Sequence, residues 1–127
     1  MEGNAVVLVV SSYRERCQSL VGVLSNLGVE SCATSNLAEA YDALSRKPVS
    51  LVFCDDCLKD GSYRSLLRSL RARARWPRVV VTTRTGEWPE YLEAVELGAF
   101  DMIQFPYRPA DVESNVVRAM STGSQAA

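Results

Sequence analysis

The sequence predicts an α/β domain: a doubly wound five-stranded parallel sheet, order 2-1-3-4-5, with five helices. Three observations carry this reading. Short apolar runs at 5–10, 49–54 and 79–82, bounded by turn residues, read as buried strands. Between them the apolar residues recur at helical spacing. Strand and helix alternate five times, which demands a parallel sheet covered on both faces, and for five strands the doubly wound order is the leading choice.

The chain of 127 residues is long enough for one domain with one core, placed at 1–121; 122–127 is read as a disordered tail or the stub of a linker. A hydrophobic content of 47% with 23% charged residues fits an ordinary globular protein. The net charge of −1 gives no electrostatic case for nucleic acid or an anionic membrane as partner. No apolar run approaches the ~20 residues of a membrane span, and no signal-like segment opens the chain, so a cytoplasmic protein is expected. The absence of histidine removes the commonest acid–base catalyst and metal ligand.

In chain order, Ala5–Val10 is a central strand. Cys17, Leu20, Leu24 and Leu27 mark one face of the first helix, which Gly28 stops. Val29–Thr34 is a weaker strand. Ser35 or Asn36 caps the second helix, with Glu39 placed for a capping box and Leu37, Ala40, Tyr41 and Leu44 facing inward. Val49–Cys54 is the third strand. The third helix spans about residues 62–75, with Leu66, Leu67, Leu70 and Ala74 inward and Arg64, Arg68, Arg71 and Arg75 as a basic stripe. Pro77 breaks it, and Val79–Thr82 is the fourth strand, ending at Thr83. Pro89 reads as the first residue of a helix that turns Leu92 and Val95 inward and stops at Gly98. Phe100–Gln104 is the fifth strand, and Pro109 opens a last helix with Val112, Val116 and Met120 on one face.

Ligands of such sheets sit beyond the carboxyl ends of the strands. Those ends deliver Ser11, Ser12, Asp55, Thr83 and Phe105 to one crevice. A carboxylate at the end of the apolar third strand is costly unless it serves a site, so Asp55 is the leading candidate residue.

The segments Val-Leu-Val-Val before the first helix, Phe-Cys-Asp-Asp-Cys-Leu-Lys-Asp-Gly after the third strand, Val-Val-Val-Thr-Thr, and Gly-Ala-Phe-Asp-Met-Ile-Gln-Phe-Pro-Tyr-Arg-Pro resemble a response-regulator receiver domain of two-component signalling. The resemblance covers about residues 5–120 and implies a flavodoxin-like fold. It implies Asp55 as phosphoacceptor, with Asp56 second to it, Thr83 as switch hydroxyl, Met102 at the aromatic switch position and Pro106 after a cis peptide bond. It also implies a metal held by Asp55 and the Cys57 carbonyl. It further implies partners in a phosphorelay: a histidine kinase, an effector domain or a second copy, through the face of helix 4, strand 5 and helix 5.

The chain departs from that pattern at three of the five positions of the reaction centre: Ser11 and Ser12 replace an acidic pair, and Phe105 replaces a lysine. Phosphoryl transfer to a carboxylate brings anions together and needs Mg²⁺ and a fixed cation. Mg²⁺ prefers carboxylates, and neutral serines leave one strong ligand; Phe105 supplies no charge. The expectation is a quiet, neutral pocket, Mg²⁺ bound weakly if at all and no cofactor required. The protein is then not an enzyme but a degenerate, phosphate-independent interaction module. A working Mg²⁺-dependent phospho-aspartate switch is the alternative, with Asp56 or Asp60 rebuilding the metal site. A thiol-redox protein or small enzyme on the same fold is the outside alternative, resting on Cys54 and Cys57. Helix N-capping is the competing role for Ser11 and Ser12. Trp88, Tyr91 and Tyr107 are the interface candidates; Phe105 and Tyr107 folded inward is the competing arrangement.

Overall fold

The computed structural model describes residues 6–73 and 77–121. Ala74, Arg75 and Trp76 of the expected third helix and its connection, and the expected tail 122–127, lie outside the described residues. The chain forms β1 (Val6–Val10), α1 (Arg14–Asn26), β2 (Ser31–Thr34), α2 (Leu37–Arg46) and β3 (Val49–Asp55). A small hairpin follows, β4 (Cys57–Leu58) and β5 (Gly61–Ser62). Then come α3 (Tyr63–Arg71), β6 (Arg78–Thr83), α4 (Trp88–Glu96), β7 (Asp101–Gln104) and α5 (Pro109–Ser121).

The five-stranded sheet is parallel throughout, in the order β2-β1-β3-β6-β7. This is the doubly wound order expected from the sequence, because β6 and β7 are its fourth and fifth strands. The antiparallel β4–β5 hairpin is an addition to that expected order; it folds back the segment between Asp55 and Tyr63.

Side chains alternate between the two faces of a strand. Leu8, Val10, Val52, Cys54, Val79 and Val81 point into one core, beneath α2, α3 and α4. Val7, Val9, Leu51, Phe53, Val80 and Ile103 point into the other, against Leu20 and Leu24 of α1 and Val112 and Val116 of α5. Each such buried side chain contributes about 1.5–3 kcal/mol.

Local signals set the helix ends. Asn36 caps α2 by accepting from the Glu39 N–H, while Glu39 reaches back to the Ser35 N–H. Asp60 of the hairpin adds a second cap, its two oxygens accepting from the Leu37 and Ala38 amides at 2.8 and 3.1 Å. These amides hold the Asp60 carboxyl below its ordinary value. Gly61 makes the close approach feasible: its φ is +151°, and a Cβ there would meet Leu37 at 2.5 Å.

Three burial expectations are corrected. Tyr41 lies on the outer side of α2, its hydroxyl 3.1 Å from Ser69 Oγ. Leu92 and Val95 of α4 are both 43% exposed; the residue that α4 buries is Ala94. Pro89 is the second residue of α4, because Glu87 is the cap and Trp88 begins the helix.

Candidate functional site

The parity of each strand decides what meets Asp55. Asp55 continues the Leu51, Phe53 series and therefore points toward the α1 and α5 side of the sheet. Ser11 continues Val7 and Val9, Thr82 continues Val80, and Phe105 and Tyr107 continue Ile103, all on that same side. The site is thus assembled at the carboxyl ends of β1, β3, β6 and β7, beneath the first turn of α1.

Asp55 is completely buried. The Ser11 hydroxyl donates to its Oδ2 at 2.7 Å, and the Thr82 hydroxyl donates to its Oδ1 at 2.6 Å. Thr82 is the in-register partner of Asp55 across β3 and β6. Tyr107 is buried beside this group, and burial pushes its hydroxyl up to about 12. Tyr107 is therefore part of the buried site and not of the outer surface, as in the competing arrangement.

The fourth contact is the finding that sequence reasoning missed. Arg16 of α1 is 5% exposed, and its Nη1 lies 3.4 Å from Asp55 Oδ1. This nitrogen is buried, makes no hydrogen bond, and faces the carboxylate as an ion pair. The guanidinium sits 4.5 Å from the centre of the Tyr13 ring and 5.8 Å from that of Phe105. Such packing over aromatic faces suits a weakly hydrated guanidinium better than an ammonium. The expectation of a neutral pocket is corrected: the position of Phe105 carries no charge, but a cation enters from α1. The signal was helical spacing. Arg16 stands one turn before Leu20 and two before Leu24, at the head of the buried face. Side chains on a helix lean toward its N-terminus, which here is the site end.

The other expected residues divide. Thr83, the anticipated switch hydroxyl, has the opposite parity to Thr82 and donates to Asp56 Oδ2 at 3.2 Å. The hydroxyl that β6 brings to Asp55 is that of Thr82. Ser12 turns outward and donates to the Ser35 carbonyl, so it is not brought to Asp55. Neither serine caps α1, whose cap is Tyr13 without a side-chain hydrogen bond. Met102 is half-buried on β7 opposite Val81, packed against the core beneath α2, α3 and α4. The Phe105–Pro106 peptide bond is cis, and the Phe105 ring meets Tyr107 edge-on at 5.2 Å.

The donor set does not fit a divalent metal. Both Asp55 oxygens already accept hydrogen bonds, one also faces Arg16, and the Asp60 carboxylate is committed to α2. Asp56 is the carboxylate left beside Asp55, and Cys57 is exposed on the hairpin. No group of three or more acidic or cysteine side chains placed to hold a metal occurs among the described residues. The thiol expectation fares similarly: Cys54 is buried, and burial first, then Asp55 and Asp56, push its thiol well up, the reverse of a reactive thiolate.

Two arginines of the basic stripe, Arg64 and Arg71, are engaged with α4. Arg64 grips Glu93 of α4 through two hydrogen bonds of 2.8 and 2.7 Å, and Arg71 donates to the Leu97 carbonyl at the end of α4 at 2.9 Å.

Comparison with known proteins gives a consistent result. A family model described as the response regulator receiver domain matches residues 7–117. The chain is 27% identical over 99 residues to the response regulator protein PilR of Pseudomonas aeruginosa, covering 78% of this chain. It is 25% identical over 118 residues to the sensory transduction protein RegX3 of Mycolicibacterium smegmatis, covering 93% of this chain. It spans only 22% and 51% of the lengths of these two relatives. Among solved structures, a CheY-like receiver domain protein from Methanospirillum hungatei superposes with a TM-score of 0.82 at 17% identity, covering 97% of this chain and 98% of that one. A response regulator from Thermotoga maritima gives a TM-score of 0.82 at 25% identity, covering 93% of this chain and 98% of that one.

Proposed function

This chain belongs to the response regulator receiver domain family, and from that premise we propose that it is a phosphate-independent member: a signalling module that works through protein contacts with Asp55 already neutralised from within. Receiver domains interact with kinases and effector domains. The observation that carries the reading is the Arg16 guanidinium against Asp55. An incoming phosphoryl group would have to displace Arg16 or Thr82 from Oδ1, or Ser11 from Oδ2, and would find no acidic cluster among the described residues to hold Mg²⁺ beside it. The buried ion pair instead gives the crevice a settled charge balance that requires no ligand. A buried pair of this kind is costly to break, because removal of one partner strands the other. Asp55 is then a structural hub: it ties β1 through Ser11, β6 through Thr82 and α1 through Arg16. We place the protein in the cytoplasm, in keeping with its family and with the absence of any helix among the described residues long and apolar enough to cross a membrane.

The test is calorimetric titration with beryllofluoride at millimolar Mg²⁺, with Asp55→Asn as control. Asparagine keeps the shape of the side chain and removes the carboxylate that would accept the phosphoryl mimic, and circular dichroism checks that the control is folded. The expected outcome is no saturable heat for the wild-type chain. Saturable binding that disappears in Asp55→Asn would establish a working phosphoacceptor and overturn the reading.

A further inference from the structure

A cavity of about 430 Å³ opens beyond the carboxyl ends of β1, β6 and β7. Six residues line it: Tyr13, Glu15 and Arg16 at the start of α1, Arg84 after β6, and Phe105 and Pro106 after β7. Asp55 is not among them; it lies buried behind Arg16. The volume is that of a small-molecule site, and the place is where doubly wound sheets take ligands. The walls are aromatic. Tyr13 is 51% exposed, an unusual amount of ring to leave in water beside a cavity. The Arg16 guanidinium packs 4.5 Å from the centre of the Tyr13 ring and 5.8 Å from that of Phe105. Tyr107 braces Phe105 edge-on. The same Phe105 that leaves the crevice without a lysine therefore supplies a firm apolar wall here.

The lining carries free charge of both signs. Glu15 and Arg84 are exposed, and among the described residues the side chain of neither has an ion pair or hydrogen bond. Arg16 adds no free charge, because Asp55 matches it. Asp56 accepts from Thr83, which has the opposite parity. Arg14 and Arg108 are exposed neighbours in sequence that do not line the cavity. They add positive potential around it, so a carboxylate is favoured there more than an amine. We propose that this cavity binds an aromatic α-amino acid or a close derivative. Its ring packs against Tyr13 and Phe105, its carboxylate meets Arg84 and its ammonium meets Glu15. A ligand with one charge leaves the opposite lining group unmatched, and an aliphatic one forfeits the ring contacts. The inference goes beyond the reading of the chain as a phosphate-independent module and does not depend on it, because the ligand does not touch Asp55.

The probe is L-phenylalanine, titrated into the full chain and followed by amide chemical shifts. Phenylpropionate, which lacks the amine, phenethylamine, which lacks the carboxylate, and L-alanine, which lacks the ring, are the comparisons. Phenylalanine is expected to bind saturably, with shifts centred on Tyr13–Arg16, Arg84 and Phe105. Each comparison compound should bind about tenfold more weakly or worse, with phenethylamine weaker than phenylpropionate. Arg84→Gln should remove the advantage of phenylalanine over phenethylamine, and Glu15→Gln its advantage over phenylpropionate. Both substitutions are at exposed positions, and the amide spectrum itself reports that the fold is kept. No saturable shift into the tens of millimolar, saturable shifts centred elsewhere, equal binding of all four compounds, or variants without effect on these preferences would each overturn the proposal. The titration contains neither Mg²⁺ nor beryllofluoride. A working phosphoacceptor in the calorimetric test therefore removes phosphate independence alone, and a failed phenylalanine titration removes the ligand site alone.

Discussion

The crevice at Asp55 and the outer face of α4 break the same rule in opposite directions. The first puts an arginine and an aspartate inside, and the second puts a tryptophan, a leucine and a valine outside. Their energetic consequences differ. The buried charges are held in place by each other, so neither can change alone without a large loss of stability. The apolar residues of α4 leave much of their surface in water, so burial gives only part of a reason for their being there. The first arrangement is explained by the folded chain itself; the second is explained by it only in part.

The largest expected effect tests the inner region. Arg16→Ala should lower the unfolding free energy in urea by about 3–5 kcal/mol, because it leaves a buried carboxylate without its counter-charge. Arg16→Met combined with Asp55→Asn should cost clearly less than the sum of the two single changes, by about 0.5–3 kcal/mol. Additive losses would mean that the two groups are merely neighbours. A middle-sized effect sharpens the assignment of the hydroxyls. Thr82→Val should cost about 1–3 kcal/mol, since it leaves the buried Asp55 short of a hydrogen-bond donor. Thr83→Val, which deprives the half-buried Asp56, should cost less, and the reverse order would contradict the parity argument. The smallest effect belongs to α4: Leu92→Ser and Val95→Ser should each shift stability by no more than about 0.5 kcal/mol. A loss of several kcal/mol would show that these residues pack inward and erase the contrast between the regions.

The fold was legible because period changes from two to 3.6 are large signals that repeat along the chain. The site was legible where a whole strand pointed at it, as the apolar run ending in Asp55 does. Arg16 was hidden because a pattern search for apolar residues begins the first helix face at Cys17; the arginine one position earlier shares the face of Leu20 and Leu24 but is scored as polar. Thr82 and Thr83 were confused because adjacent strand residues point to opposite faces, so an error of one residue reverses the assignment. On α4, Leu92 and Val95 compete with Ala94 for the inward side. Size favours the first pair, but the choice is made by packing against the sheet, where the small residue fits. Tyr41 illustrates the same ambiguity, with an aromatic ring lying across the surface between α2 and α3 and its hydroxyl beside Ser69.

The double cap on α2 gives the domain an order of assembly. Asn36 and Glu39 lie beside the amides they serve and can act as soon as the helix leaves the ribosome. Asp60 lies 23 residues after Leu37. At about 5–20 residues per second, it is synthesised roughly 1–5 s after the first turn of the helix it completes. During that interval the first turn of α2 is hydrated at Leu37 and Ala38. The hairpin that closes it is also the continuation of the strand carrying Asp55. The nascent chain thus finishes its second helix only after it has laid down the centre of the sheet, and the two events are tied together by one carboxylate.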